Sequence, residues 1–138
     1  MNNWERMKAG RLYNADSKEL EKYHSFGMET CDKFNRTPLW MKKRKQRLLE
    51  KMIPSAKDGG AAIFAPFYCE YGVNIHFGKG CFVNYKCTFL DCAPITLEDG
   101  VWVGANVTIA TPCHPFLPDE RLPQQYPDGF HDLEYAKP

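Results

Sequence analysis

The sequence predicts a mainly β protein: a coiled parallel β-helix behind an N-terminal helical segment. Two observations carry that expectation. From Ala65, large apolar residues recur every six positions at Tyr71, Phe77, Val83 and Phe89, and after a two-residue slip the count resumes at Leu97, Val103 and Ile109. A second inward set follows four residues behind most of these, at Cys69, Ile75, Cys81, Cys87, Ala93, Val101, Val107 and Cys113. A helix repeats at about 3.6 residues and an alternating strand at about 2, so neither produces a period of six. Short flat faces that each turn one wide and one narrow side chain inward do produce it, in coils stacked about 4.8 Å apart.

Along the chain, residues 1–58 read as helical. Asp16 with Glu19 three positions later resembles a capping box opening a helix that carries Leu20, Tyr23, Phe26 and Gly27 at helical intervals. Thr37-Pro38 introduces a second helix, with Met41, Leu48, Leu49, Met52 and Ile53 on one face and the basic run Lys42-Lys43-Arg44-Lys45 on a solvated one. Pro54 ends it, and Asp58-Gly59-Gly60 forms a joint. Residues 59–138 form the second unit. Glycines 72, 78, 80, 100 and 104 fit its corners. The slip at Asp91-Cys92-Ala93-Pro94 marks a bulge or an outward loop. From His114 to about residue 132 the repeat stops, and Pro115, Pro118, Pro123 and Pro127 require an excursion away from the coils. Loops on rigid scaffolds are where chemistry concentrates.

Composition narrows the function classes. The chain has 138 residues and a formal charge of +1, so nothing in its charge draws it to nucleic acid or anionic membranes. The first ten residues lack a long apolar run, so a cytoplasmic protein without signal peptide or membrane span is expected. Six cysteines occur without a C-x-x-C pair, and Cys69, Cys81 and Cys87 fall on the narrow slot of the repeat, which reads as buried thiols rather than disulfides or a metal site. Cys31 and Cys92 lie off the repeat and have no role in it.

Several runs together resemble the maltose and galactoside O-acetyltransferases, in that family's order. They are Met7-Lys8-Ala9-Gly10-Arg11-Leu12-Tyr13, Tyr71-Gly72-Val73-Asn74-Ile75-His76-Phe77-Gly78, Val83-Asn84-Tyr85, Val101-Trp102-Val103-Gly104-Ala105-Asn106-Val107, Thr111-Pro112-Cys113-His114-Pro115 and Leu133-Glu134-Tyr135-Ala136-Lys137-Pro138. The resemblance implies a left-handed helix of hexapeptide repeats, assembled as a homotrimer with active sites between subunits. It also implies transfer of an acetyl group from acetyl-CoA to a sugar hydroxyl.

Under the resemblance the catalytic histidine falls on His114. A neutral imidazole with a pKa near 6.5 can take the acceptor hydroxyl's proton as that oxygen attacks. Asn84 matches the asparagine that contacts the acceptor sugar, while Asp16, Glu70 and Glu134 match polar positions lining the acceptor pocket. Phe82 occupies a slot where a ring can lie on a sugar face, and Asp91 at the slip is counted with these acceptor-binding residues. Two departures accompany the likeness. The excursion after Pro115 is longer than in short family members, and the chain stops at Pro138, before the further coils that carry much of the acetyl-CoA site. A β-helix cut short at its C-terminus is therefore expected.

Two other readings stand beside this one. A γ-type carbonic anhydrase uses the same helix with three zinc-binding histidines; His76 and His114 lie 38 residues apart, about two 18-residue coils plus the slip, but supply two ligands and not three. A non-catalytic trimer-forming or sugar-binding module is the other.

Overall fold

The computed structural model describes residues 1–122, 124–126, 129–131 and 134–136. Three helices come first: α1 (Asn3–Lys8), α2 (Lys18–Arg36) and α3 (Lys42–Met52). A capping box does occur, but on α1. Asn2 accepts from the Glu5 N–H at 2.8 Å and Glu5 returns the bond to the Asn2 N–H at 3.1 Å. The expected box at Asp16 does not form. Ser17 is the N-cap of α2, and the Glu19 carboxylate turns instead to the N–H groups of Asn3 and Trp4, at 3.1 and 3.4 Å. It thus binds the orphan donors of α1 to the flank of α2.

Helix α3 starts four residues later than Pro38 suggests, because 37–41 form a turn closed by the Met41 N–H on the Pro38 carbonyl at 3.0 Å. The basic run is not wholly solvated. The Lys45 ammonium donates to the carbonyls of Phe34 and Thr37 at 2.9 and 3.2 Å, a cation at the C-terminus of α2 where the helix dipole favours it. A 3-10 turn, Pro54–Ala56, leads into the coils.

The strands are β1 (Ala61–Ile63), β2 (Phe67–Cys69), β3 (Ile75–Phe77), β4 (Cys81–Val83), β5 (Cys87–Leu90), β6 (Ile95–Leu97), β7 (Trp102–Val103) and β8 (Thr108–Ala110). They stack into three parallel ladders, β1-β4-β7, β2-β5-β8 and β3-β6, the three flat faces of a parallel β-helix. Ala61 pairs with Cys81, Phe67 with Cys87, Ile75 with Ile95 and Phe82 with Trp102, so each coil advances 20 residues, not 18.

The two extra residues recur at the same corner of every coil, at 71–74 as well as 91–94. Ala65 and Tyr71 are therefore not on the inward ladder. The inward pairs of the first coil are Ala61 with Ile63, Phe67 with Cys69, and Ile75 with Phe77, all buried. Cys69 takes the second inward slot of its face, where Phe89 stands one coil on. Gly80 and Gly100 repeat at one corner with φ of 67° and 73°, whereas the next corner places Lys86 and Asn106 in that region. On a 20-residue coil the stacking partner of His76 is Thr96, so the 38 residues between His76 and His114 are not a whole number of coils.

Helices α2 and α3 close the first coil. Cys31, Phe34, Leu49, Met52 and Ile53 join the inward strand residues in one apolar cluster. That burial removes the raw end of the core from water, at about 25 cal/mol per Å². Gly27 allows the approach, since a Cβ there would lie 2.4 Å from the Glu70 carbonyl oxygen.

After β8 the chain leaves the parallel ladder. Strand β9 (Pro112–Cys113) is followed by α4 (Pro118–Arg121), the antiparallel pair β10 (Gln124–Tyr126) and β11 (Gly129–His131), and β12 (Tyr135–Ala136). Strand β12 runs antiparallel to β9, and Glu134 bridges to Tyr13. The excursion so returns to the N-terminal segment. Pro123, Pro127, Asp132 and Pro138, read above as part of the excursion and the chain's end, lie outside the described residues. Among the described residues no helix is long and apolar enough to cross a membrane.

Candidate functional site

The two-residue insertion builds the site. Its positions stack as Tyr71, Asp91 and Thr111, one per coil, and each lower corner is tied down from the coil above. The Asp91 carboxylate accepts from the N–H groups of Glu70 at 3.1 Å, Tyr71 at 2.8 Å and Asn74 at 3.2 Å. Asn74 answers with its Nδ2, which donates to the Asp91 carbonyl at 2.8 Å. Thr111 does the same one coil higher: its hydroxyl accepts from the Ala93 N–H at 2.9 Å and donates to the Leu90 carbonyl at 2.8 Å. Asp91 is fully buried, so it holds the floor of the site and has no surface to offer an acceptor. Burial pushes its carboxyl above the usual aspartate range, with the N–H bonds from Tyr71, Asn74 and Glu70 pulling the other way.

Above this floor lies a cleft of about 380 Å³ between the N-terminal segment, α2 and the third-coil corner. It brings together four of the residues singled out in the sequence: Asp16, Glu70, His114 and Glu134. His114 Nε2 is 3.8 Å from Glu134 Oε1. The other oxygen of Glu134 accepts from the Tyr13 hydroxyl at 3.0 Å. Burial, then the neighbouring Cys92 and Glu134, drive the Tyr13 phenol well above its ordinary range, so it stays a donor. Burial pushes the Cys92 thiol, also in this wall, up to about 12. A thiol so protonated is no nucleophile at neutral pH.

The opposite wall holds a pair that sequence reasoning missed. His24 Nε2 and Glu70 Oε2 are in direct contact, and the His24 ring lies 5.5 Å from that of Tyr71. His24 shares a face of α2 with Leu20, Gly27 and Cys31, all buried. That spacing was the available signal: a polar ring on an otherwise buried helix face needs a partner. Tyr13 was missed for another reason, because its partner Glu134 is 121 residues away.

Asn84 and Phe82 are not in this cleft. Asn84 lies at the corner after β4, where its Oδ1 accepts from the Tyr85 N–H at 2.8 Å, and Phe82, in β4 itself, packs edge-on against Phe64 at 5.0 Å between ring centroids. Trp102 continues that outer aromatic ladder 6.2 Å from Phe82 and is 78% exposed. Among the described residues no cluster of three or more His, Cys, Asp or Glu could hold a metal ion.

The fold and the N-terminal segment have counterparts among known proteins. Residues 6–57 match the family model described as the maltose acetyltransferase hexapeptide capping motif, a stretch that runs from the second half of α1 through α3. The crystal structure of a maltose O-acetyltransferase from Clostridium difficile superposes with a TM-score of 0.87 at 30% identity, covering 100% of this chain and 69% of that one. The chain belongs to the maltose and galactoside O-acetyltransferase family. A galactoside acetyltransferase solved in complex with coenzyme A superposes with a TM-score of 0.80 at 25% identity, covering 100% of this chain and 64% of that one. A galactoside O-acetyltransferase from Lactococcus lactis is 32% identical over 122 residues, which is 88% of this chain and 58% of that protein. The chain spans about three fifths of the length of the curated relatives it matches.

Proposed function

We propose that this chain carries the acceptor half of an acetyl-CoA-dependent sugar O-acetyltransferase, with His114 as the general base. The observation that carries the reading is the joining of His114, Glu134, Glu70 and Asp16 in one cleft. A sugar hydroxyl is a poor nucleophile until its proton is removed during attack. In the proposed reaction His114 takes that proton, the acceptor oxygen bonds to the acetyl carbonyl carbon, and the carbon–sulfur bond breaks, the sulfur leaving as the CoA thiol with the proton that His114 returns. Glu134, held by Tyr13, stabilises the imidazolium that forms. Acetyl-CoA supplies the activated acetyl group; the coenzyme A complex of a family relative supports this choice of donor.

Asp16 and Glu70 offer acceptor oxygens to sugar hydroxyls along the cleft, Glu70 from a position fixed by His24. Asn84 and Phe82 sit elsewhere on the coil, so their part in the site requires a second subunit. A homotrimer, with the β4–β5 corner of one protomer facing the His114 corner of its neighbour, gives them that part. The exposed ladder Phe64, Phe82, Tyr85 and Trp102 is the apolar surface such a contact would cover.

In this reading the coils wind left-handed, residues 1–58 cap them, residues 59–138 bear the site with its excursion at 114–132, and the protein works in the cytoplasm.

The test is turnover of acetyl-CoA with maltose, glucose and a galactoside, followed by release of free thiol, with light scattering for mass. Sugar-dependent thiol release by a trimer supports the proposal. Sugar binding by a trimer with neither acetyl-CoA binding nor turnover favours the non-catalytic module. Neither sugar binding nor turnover refutes both.

A further inference from the structure

Two thiols with no part in acetyl transfer touch each other beneath the cleft. Cys31 Sγ and Cys69 Sγ are 3.3 Å apart, and Met52 Sδ lies 3.2 Å from Cys31 Sγ. Cys31 sits on the core face of α2 and Cys69 ends β2, so a bond between them would join the helical cap to the first coil. Both are buried. A hollow of about 430 Å³, lined by both thiols together with His24, Met28, Tyr68 and Glu70, opens beside them and gives a small oxidant a way in.

Their surroundings make the two sulfurs unequal. The hydrogen bond from Cys69 holds the Cys31 thiol below its ordinary range against the effect of burial. The same bond and burial push Cys69 up. That inequality suits one sulfur to be oxidised first and the other to follow, the division that thiol oxidation uses. Cys81 and Cys87, by contrast, each donate only to backbone carbonyls and have no sulfur neighbour.

We propose that Cys31 and Cys69 form a reversible redox pair that a small peroxide closes into an intramolecular disulfide between α2 and β2. The Cys31 thiolate attacks one peroxide oxygen, a sulfur–oxygen bond forms, the oxygen–oxygen bond breaks, and the departing hydroxide takes a proton to become water. The Cys69 sulfur then attacks Cys31; the sulfur–sulfur bond forms, and the sulfenic oxygen leaves as water with the Cys69 proton. Two thiols are oxidised by two electrons, and one hydrogen peroxide is reduced to two waters. A dithiol reductant reverses the change by exchange.

The closed form ties α2 to the strand that precedes Glu70, so the wall carrying the His24–Glu70 pair becomes covalently fixed. This inference rests on the thiol geometry and not on the acetyl-transfer reading, so either can fail without the other.

The experiment treats the whole chain with hydrogen peroxide under native conditions, then denatures and alkylates it for intact mass and peptide mapping. The expected result is a loss of two hydrogens, four alkylatable thiols in place of the six free ones, and a peptide linking positions 31 and 69 that dithiothreitol removes. The oxidised chain should also melt roughly 5–10 °C higher, since the link closes a loop of some 40 residues. Cys31→Ser and Cys69→Ser should each abolish the link. Should either variant fail to fold, the mapping of the unmodified chain decides alone. Oxidation confined to Cys113 or Cys92, dimers linked between chains, or six thiols still alkylatable would each overturn the proposal.

Discussion

Replacing Asp91 by alanine removes the acceptor for three buried N–H groups, those of Glu70, Tyr71 and Asn74. An orphaned buried donor costs about 1–3 kcal/mol, so three of them amount to about 3–6 kcal/mol at the lower half of that range. Part of this is offset because the buried carboxyl is itself costly, as its raised pKa records. A net loss of about 3 kcal/mol follows. With a urea slope of about 1.5 kcal/mol per M, the unfolding midpoint should fall by about 2 M. Asp91→Asn keeps one carbonyl acceptor and should lose about half as much.

The wild-type chain also carries a pH signature at this residue. Because the folded pKa lies above the ordinary 3.8, the native state holds the Asp91 proton more tightly than the unfolded chain does. This contribution to stability is full below pH 3.8 and is lost as pH rises through the folded value. The stability gap between wild type and Asp91→Asn should therefore narrow as pH increases from 4 upward. Urea melts of the three proteins at several pH values supply the data. A loss under 0.5 kcal/mol for Asp91→Ala, or a gap that widens with pH, would refute the view that Asp91 is the buried bracket of the site floor.

Other substitutions probe the walls. Gly27→Ala drives a Cβ to within 2.4 Å of the Glu70 carbonyl and 2.9 Å of the Tyr71 backbone, so α2 must move away; thermal melts should show a loss of at least about 2 kcal/mol. Tyr13→Phe removes the hydroxyl that holds Glu134. It should lower kcat about 3–10-fold with KM little changed and shift the pH profile of kcat, the effect of one lost orienting hydrogen bond. Lys45→Met strips the C-terminus of α2 of its cation, and a loss of about 1 kcal/mol in denaturant melts is expected.

The six-residue spacing was sufficient to read coiled strands, because side chains facing a shared interior must repeat with the coil. It fixed the later slots correctly at Phe77, Val83, Phe89, Leu97 and Val103, all buried. It failed at Ala65 and Tyr71 for a physical reason. Tyr71 is apolar, buried and in phase with the count, yet it packs with Met7, Tyr13 and Leu20 in a second cluster outside the coil interior. The slip was visible at 91–94, where Asp91 and Pro94 interrupt the repeat, and hidden at 71–74, where Tyr71 and Val73 keep it.

The helix α1 was too short for any periodic signal, and Glu19 was given to the wrong cap because the two candidate helix starts compete for one carboxylate. His114, Glu134, Glu70 and Asp16, singled out through the family resemblance, meet in one cleft. His24 and Tyr13 were not singled out, since each depends on a partner distant in the chain. Asp91 was placed with the ligand contacts, but a carboxylate in the slip has backbone donors on every side and satisfies them first.

The most direct test of the account is the ratio of kcat/KM for acetyl transfer between His114→Ala and the unaltered chain, at saturating acetyl-CoA with the best acceptor sugar. Loss of a general base predicts a fall of about 10²–10⁴-fold with the fold intact. Activity retained within a few-fold would contradict the central claim that this imidazole, set at the third-coil corner beside Glu134, takes the acceptor's proton.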